Sequence, residues 1–430
     1  MSRRAVPKAN PAVRSTEGSP MSRRAVPKAN PAVRSTEGNP VSRRAVPKAN
    51  CAVRSNEGSA VNRQRSVLPE LISRHVRHDV VSMHAYAVQD SAGLIKLDAM
   101  ENPHRLSPAL QDELGRRLGA VALNRYPGAR IQDLREALMA HAQVPDGFGL
   151  MLGNGSDELI SLLAMACDLP GATVLAPVPG FVMYGMSAQL QGLKFVGVAL
   201  TEDFELDEAA MLQAINEHQP SLIYLAYPNN PTANLWDDAV IARIVDAAPG
   251  FVVLDEAYQP FASRSFIDRL AAHDHVLLMR TMSKFGLAGV RIGYLIAPSA
   301  LIGEIDKVRP PYNISVLNAE CALFALEHRA VFAEQAHEIV VQRARLTARL
   351  AELPGVRVYR SDANMVLVRL PVGHDAGQDV AGAVFAKMRA RGVLVKNVSN
   401  LHPLLANCLR LTVGTFEENQ AMLAALKESL

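Results

Sequence analysis

The sequence predicts an α/β protein with a large domain on a mostly parallel sheet flanked by helices, followed by a smaller α+β domain. Three observations predict it. From Leu150 onward short apolar runs alternate with helical stretches, which reads as parallel strands covered by helices on both faces. Several runs end in residues that carry chemistry, in Tyr227-Pro-Asn-Asn-Pro-Thr232, Leu254-Asp-Glu-Ala-Tyr258 and Arg280-Thr-Met-Ser-Lys284, and ligands on such sheets bind beyond the carboxyl ends of the strands. After Tyr312 the alternation stops and a different order of elements begins.

The strand-like runs are 173–176, 194–200, 221–227, 251–254, 276–279 and 292–297, with helical stretches between most of them, such as 157–167 and 237–247. Beyond Tyr312 we expect a long helix to about Leu350, strands at 356–359 and 364–370, a helix to Arg391 and a strand at 409–413. Residues 67 to about 108 lack a full sheet pattern of their own and are expected to pack against that smaller domain. The organisation is therefore a tail at 1–60, an arm belonging partly to the small domain at 61–107, a large domain at 108–310 and a small domain at 311–430.

At 430 residues and 49% hydrophobic content the chain can bury the cores of two domains. No uninterrupted apolar stretch approaches the roughly 18 residues of a membrane span, and none near the start resembles a secretory signal. Cys51, Cys167, Cys321 and Cys408 show no pairing or metal spacing, which suits a reducing, cytoplasmic compartment. The first 60 residues are three copies of a 20-residue unit restarting at Met21 and Val41. They contain little besides Ala, Val, Pro and charge, too little apolar surface to offset the entropy of ordering, so a disordered tail is expected. Met21 stands as an alternative translation start, and the regular prolines argue against a presequence helix. The tail holds 12 basic and 3 acidic residues, leaving 33 basic and 39 acidic residues in the other 370. The folded part is thus acidic, which argues against nucleic-acid binding there.

Lys284 lies in Arg280-Thr-Met-Ser-Lys-Phe-Gly-Leu-Ala-Gly-Val-Arg291, just past an apolar strand, where an amine could form an imine with a carbonyl cofactor. Gly153-Asn-Gly-Ser-Asp157 opens a helix whose free N–H groups and Ser156 hydroxyl could hold a phosphate, although Asp157 and Glu158 could satisfy the same terminus. The glycine spacing is not that of a dinucleotide fingerprint. Asp255 ends a buried strand, and a buried carboxylate needs a cation or donors. A protonated pyridine nitrogen is one such cation. A magnesium site of the nucleotide-hydrolase type would require a Gly-x-x-x-x-Gly-Lys-Ser/Thr loop, which is absent.

Together, Asn-Pro-Thr, Asp-x-x-Tyr, Ser-Lys and a following Arg resemble the fold-type-I aminotransferases that use pyridoxal 5'-phosphate (PLP), and within them the histidinol-phosphate aminotransferases. The resemblance runs over nearly all of residues 67–430. It includes Leu97-Asp-Ala-Met-Glu-Asn-Pro103, Asn124-Arg-Tyr-Pro127, Ser361-Asp-Ala-Asn-Met-Val-Leu-Val-Arg369 and His402-Pro-Leu-Leu-Ala-Asn-Cys-Leu-Arg-Leu-Thr-Val-Gly414. By that resemblance Lys284 would hold the cofactor as a Schiff base and shuttle the proton. Asp255 would pair with the ring nitrogen, and Asn230 and Tyr258 would bond the phenolic oxygen. Phe181 would stack on the ring, with Tyr184 able to share that role. Ser156, Asp157, Thr281, Ser283 and Arg291 would hold the phosphate, and Tyr126 would reach the partner subunit's cofactor phosphate in a homodimer.

Arg410 matches the position that clamps a substrate carboxylate in a bidentate pair. One pocket would serve glutamate and histidinol phosphate, with Arg369, Tyr86 and Asn102 as further candidates around it. A surface salt bridge for Arg369 and a core contact for Tyr86 are the alternatives. Two departures from the family pattern stand out. Ala233 follows Asn-Pro-Thr where Gly is usual, which matters only if that position needs positive φ, and Phe416 stands where Pro is frequent.

The pairs His75-x-x-His78 and His273-Asp-His275 have no third ligand in a recognisable pattern, so no metal is expected, and a G-x-S-x-G turn is absent. The implied activity is PLP-dependent amino transfer from L-histidinol phosphate to 2-oxoglutarate. Aromatic amino-acid aminotransferases and threonine-phosphate decarboxylases share the same cofactor residues. A non-catalytic regulatory protein on this fold is a further alternative, disfavoured by Lys284 and its complete supporting set.

Overall fold

The computed structural model describes residues 60–83, 89–371 and 379–430, without the side chains of 60–67. The repeats, apart from Ala60, lie outside the described residues, as does Tyr86. The described residues form two units, one ending at Val81 and one running from Ser82 to Leu430. The first contains the helix Ala60–His75 and an ion pair between Arg77 and Asp79.

In the second unit β1 (Ile95–Lys96) precedes a seven-stranded sheet of β2 (Phe148–Gly153), β3 (Thr173–Val178), β4 (Lys194–Ala199), β5 (Leu222–Ala226), β6 (Phe251–Asp255), β7 (Val276–Thr281) and β8 (Gly293–Pro298). Their spatial order is β2-β8-β7-β6-β5-β3-β4. Strands β3 to β7 pair in parallel, and β8 runs antiparallel to both β7 and β2. The expected mostly parallel sheet is present, with this one reversal. Among the expected strands β2 was missing, because glycines at 149 and 153 dilute its strand character.

Successive residues of the central strands alternate between two cores. Ile223, Leu225, Val252, Leu254, Val276 and Leu278 face one core, and Leu222, Tyr224, Val253, Leu277 and Met279 face the other. The register Ala226 to Asp255 to Met279 brings the ends of β5 and β6 level, and β7 runs two residues further to Thr281. Strand β2, parallel in direction to β7, ends at the same edge, and the reversed β8 starts there.

The smaller lobe holds β9 (Arg357–Val358), β10 (Met365–Arg369), β11 (Val393–Leu394), β12 (Lys396–Asn397) and β13 (Cys408–Thr412). Four of them form an antiparallel sheet in the order β12-β13-β10-β9, and β11 pairs in parallel with β1. Residues 95–97 thus join the smaller lobe through backbone bonds, with Leu97 N–H donating to Leu394 O at 2.8 Å.

Helix ends follow local chemistry. Asp237 caps Asp238–Ala247 by accepting from Ala239 N at 2.7 Å, and Thr415 and Glu418 form a capping box on Phe416–Lys427. Phe416 occupies the first helical position, where Pro is also well suited, so that departure leaves the helix start intact. The long helix expected beyond Tyr312 is two, Val316–Glu327 and Arg329–Ala351, divided at His328 (φ −99°). No Pro or Gly marks the break; the His328 ring packs on Phe324, 4.4 Å between centroids.

Ala233 has φ +67° and is fully buried. The left-handed backbone costs a non-glycine residue about 1–2 kcal/mol. The buried methyl returns about 0.8 kcal/mol, and glycine would add about 0.4–1 kcal/mol of unfolded-chain entropy. Ala233→Gly is therefore expected to lie within about 1 kcal/mol of wild type in chemical denaturation, with unchanged turnover.

Candidate active site

Six strand termini place side chains around one cavity of about 350 Å³. From β2 and the helix Ser156–Ala166 come Ser156 and Asp157; past β3 comes Phe181; past β5 comes Asn230; from β6 come Asp255 and, beyond it, Tyr258; past β7 come Thr281, Ser283 and Lys284, and ahead of β8 stands Arg291. The structure thus brings together ten of the residues singled out from the sequence.

Lys284 sits in an irregular helical turn, Ser283–Leu287, that opens just beyond β7 and is kinked at Gly286 (φ +132°). Its Nζ donates to Ala99 O at 3.0 Å and lies 5.8 Å from the Tyr258 ring centre. Although the residue is only half-buried, its amine is enclosed. Burial first, and the Arg410 charge second, bring its pKa down to about 8. At pH 7 the neutral, nucleophilic fraction is then roughly 300-fold larger than for an ordinary lysine at 10.5. The rate at which cofactor attaches to the cofactor-free protein should accordingly rise about tenfold per pH unit and level off near pH 8, measured by stopped-flow absorbance. A plateau only above pH 10 would contradict this.

Asp255 is buried, and burial pushes its pKa up to about 6 against the lowering by its donors. Tyr184 Oη donates to Oδ2 at 2.6 Å and Ala257 N to Oδ1 at 3.0 Å. Tyr184 is the residue whose role the sequence reading missed. Its ring is stacked on Tyr224, 4.4 Å apart, and its hydroxyl fixes the carboxylate, so Phe181 is the half-buried ring left to face the cavity.

The helix Ser156–Ala166 begins at Gly155 with no side-chain cap, so its first N–H groups and positive dipole end face the cavity. Glu158 turns instead to Asn154 N at 2.6 Å and Asn313 Nδ2 at 2.7 Å. Arg291, at φ +55°, reaches Asp157 Oδ2 at 3.1 Å. Two glycines shape this cradle, Gly155 by its positive φ of +81° and Gly293 by close backbone approach. A Cβ on Gly155 would strike the Arg291 guanidinium, and one on Gly293 would lie 2.6 Å from Ser156 N. Thr281 Oγ1 donates to Ile292 O at 3.1 Å and accepts from Ser283 N at 3.1 Å, so both hydroxyls are held at the rim.

A second cavity of about 380 Å³ adjoins the first and shares Ala99, Met100, Glu101, Phe181 and Asn230 with it. Arg410, Lys96 and Lys396 line it, with Asp98 as the other carboxylate. Buried Arg410 donates to Asn230 Oδ1 and Asp98 O, each at 2.7 Å. That uses the acceptor end of the Asn230 amide and turns its donor end toward the first cavity. Lys96 and Lys396 carry no motif of their own, so nothing in the local sequence marks them.

Three candidates stand elsewhere. Asn102 lines neither cavity, since its amide bonds Gln335 Oε1 and His104 N, each at 2.9 Å. Arg369 donates to Leu404 O at 2.6 Å and stacks near Phe204 and Tyr359. Tyr126 is 75% exposed, stacked 4.3 Å from Tyr312 outside both cavities.

The donor set fits PLP. It offers a buried carboxylate for a protonated ring nitrogen, an enclosed amine of lowered pKa for a carbonyl, and an uncapped helix start with hydroxyls and Arg291 for a phosphate.

Comparison with known proteins agrees with that chemistry. Residues 92–426 match the family described as aminotransferase class I and II. A histidinol-phosphate aminotransferase from Polaromonas naphthalenivorans is 68% identical over 85% of this chain and 99% of its own. One from Methylibium petroleiphilum is 70% identical over 83% and 95%. Among solved structures, histidinol-phosphate aminotransferase from Sinorhizobium meliloti in complex with pyridoxal-5'-phosphate superposes with a TM-score of 0.68 at 26% identity, covering 77% of this chain and 90% of that one. The chain belongs to the class I and II aminotransferases, in their histidinol-phosphate aminotransferase branch.

Proposed function

We propose that the protein transfers the amino group of L-histidinol phosphate to 2-oxoglutarate, giving imidazole-acetol phosphate and L-glutamate in histidine biosynthesis, with PLP as cofactor. The observation that carries this reading is the enclosed Lys284 amine and the buried Asp255 carboxylate lining one cavity, beside a second cavity lined by Arg410, Lys396 and Lys96, the last of them paired with Glu101. Bound PLP supplies an electron sink for charge that develops at the substrate's α-carbon.

The protein's own groups do the rest. Asp255, held by Tyr184 and Ala257 N, would keep a bound ring nitrogen protonated; Asn230 and Tyr258 would donate toward the phenolic oxygen; and Phe181 would line the ring's side of the cavity. Ser156, Asp157, Thr281, Ser283 and Arg291 hold the phosphate. Lys284, near pKa 8, is matched to take a proton from the substrate carbon and return it. Arg410 binds the carboxylate of glutamate and lies near the phosphate of histidinol phosphate, the two taking turns in one pocket.

The working form in this reading is a cytoplasmic homodimer. The exposed Tyr126–Tyr312 stack supports an interface through which Tyr126 reaches the partner subunit's cofactor phosphate. Cys167, Cys321 and Cys408 are unpaired, which supports a reducing compartment. Among the described residues no helix is long and apolar enough to cross a membrane. Steady-state kinetics test the reaction. Parallel double-reciprocal lines with histidinol phosphate and 2-oxoglutarate are expected, with kcat/KM well above those for phenylalanine and dephosphorylated histidinol. A higher value for phenylalanine would overturn the substrate assignment.

A further inference from the structure

Glu256 and Arg280 are buried and belong to no step described above. They flank catalytic positions, Glu256 following Asp255 on β6 and Arg280 preceding Thr281 on β7. Because side chains alternate along a strand, both point to the face of the sheet opposite the cofactor cavity. That is the side of Val252, Leu254, Val276, Leu278 and Tyr294.

There the two side chains form a network that the Tyr294 hydroxyl also joins through Arg280. Arg280 Nη2 lies 2.9 Å and Nε 3.0 Å from Glu256 Oε2. Ser265 Oγ donates to the Glu256 carboxylate at 3.0 Å and accepts from Arg280 Nη2 at 2.9 Å. Phe266 N donates to Glu256 Oε1 at 2.5 Å. Three segments, the ends of β6 and β7 and the loop at Ser265, therefore converge on one carboxylate.

Such a pair is poor value as a stability device, since apolar side chains of similar volume in its place are often neutral or stabilising. What it supplies is direction. Both Arg280 nitrogens bond the one oxygen Oε2, and Phe266 N and Ser265 Oγ bond Oε1, so the two carboxylate oxygens are held from different segments and the carboxylate's position and orientation are both fixed. Here the fixed points lie one residue from Asp255 on one side, and one residue from Thr281 and four from Lys284 on the other.

We propose that Glu256 and Arg280 are positioning residues: from the far face of the sheet, their ion pair sets the spacing between Asp255 and the segment carrying Thr281, Ser283 and Lys284. The inference rests on the PLP reading above. A misplacement of about 1 Å at a reacting centre can cost on the order of a hundredfold, so a pair that touches no ligand can still govern the site.

The test uses the full chain as wild type and as the double variant E256M/R280M, whose apolar pair keeps the volume without a buried unpaired charge. Circular dichroism and Tm of the cofactor-free proteins report folding. The readouts are the dissociation constant for PLP and the pH midpoint of the bound cofactor's visible absorbance, which a filler of the core would leave alone. We expect a folded double variant whose dissociation constant is raised about tenfold or more and whose absorbance midpoint has moved. E256D and R280K, which keep charge but alter reach or fork, shift both readouts in the same direction by less.

A folded double variant with a dissociation constant within about twofold of wild type and an unmoved midpoint overturns the proposal. Should the double variant not fold, unchanged values in both single variants overturn it equally. Wild-type protein that binds no PLP overturns the functional reading and this inference with it, whereas binding wild type beside unaltered variants overturns the inference alone.

Discussion

Lys284→Ala will lower transamination by at least about ten-thousand-fold and will leave a folded protein that no longer holds its cofactor covalently. The substitution removes both the point of attachment and the only enclosed amine facing the first cavity among the described residues. Its effect on folding is expected to be small. Lifting an ammonium out of a site that lowers its pKa from 10.5 to about 8 relieves about 3 kcal/mol at pH 7. Losing most of the buried stem costs about 2–3 kcal/mol. The Tm of the cofactor-free variant should thus lie near that of wild type. Lys284→Arg, which cannot deprotonate, should be as inactive as the alanine variant. Turnover within tenfold of wild type in either variant would remove Lys284 from the chemistry.

Asp255→Asn will lower kcat by about a hundredfold to a thousandfold and will at the same time stabilise the cofactor-free protein. The second half follows from the raised pKa. With about 6 in the fold against 3.8 when unfolded, the folded state binds more protons between those values. Stability of the cofactor-free wild type therefore falls as pH rises from about 4 to about 6 and is flat above. The penalty at neutral pH is at most about 3 kcal/mol, and the asparagine variant does not bear it. The difference in Tm between variant and wild type should be near zero at pH 4, grow towards pH 6 and then level. Adding PLP should reverse its sign, because a pyridinium nitrogen turns the buried carboxylate from a cost into half of a pair. Thermal melts of both proteins across pH, with and without cofactor, check each part.

The site was legible where chemistry coincides with a strand end. Asn230, Asp255, Thr281, Ser283 and Lys284 each follow an apolar run, and the topology of a parallel sheet then brings them to one edge. What the sequence did not disclose depends on contacts between distant segments. Tyr184 meets Asp255 across 71 residues, and Arg410 meets Asn230 across 180. Nothing local to either residue selects its partner. Asn102 and Arg369 stand apart from the two cavities for the same reason: polar groups bind what packing places beside them, Gln335 for one and Leu404 O with two aromatic rings for the other.

Elements show a similar division. The apolar strands β3 and β5 to β7 were found to within about two residues, as their composition permits few other states. Strand β2 was hidden by its glycines, and the reversal of β8 is a matter of tertiary connection. Ala233 shows what a single residue leaves open: the departure from glycine matters only if the position needs positive φ, and the structure supplies that condition, with φ at +67°.

The most direct test of the central claim is the visible absorption spectrum of purified protein before and after addition of amino donors. A cofactor band that converts to the pyridoxamine form with L-histidinol phosphate and with glutamate, and hardly with phenylalanine or threonine phosphate, is the predicted result. Conversion by phenylalanine or threonine phosphate in preference to histidinol phosphate would contradict the substrate, and the absence of any cofactor band would contradict the site itself.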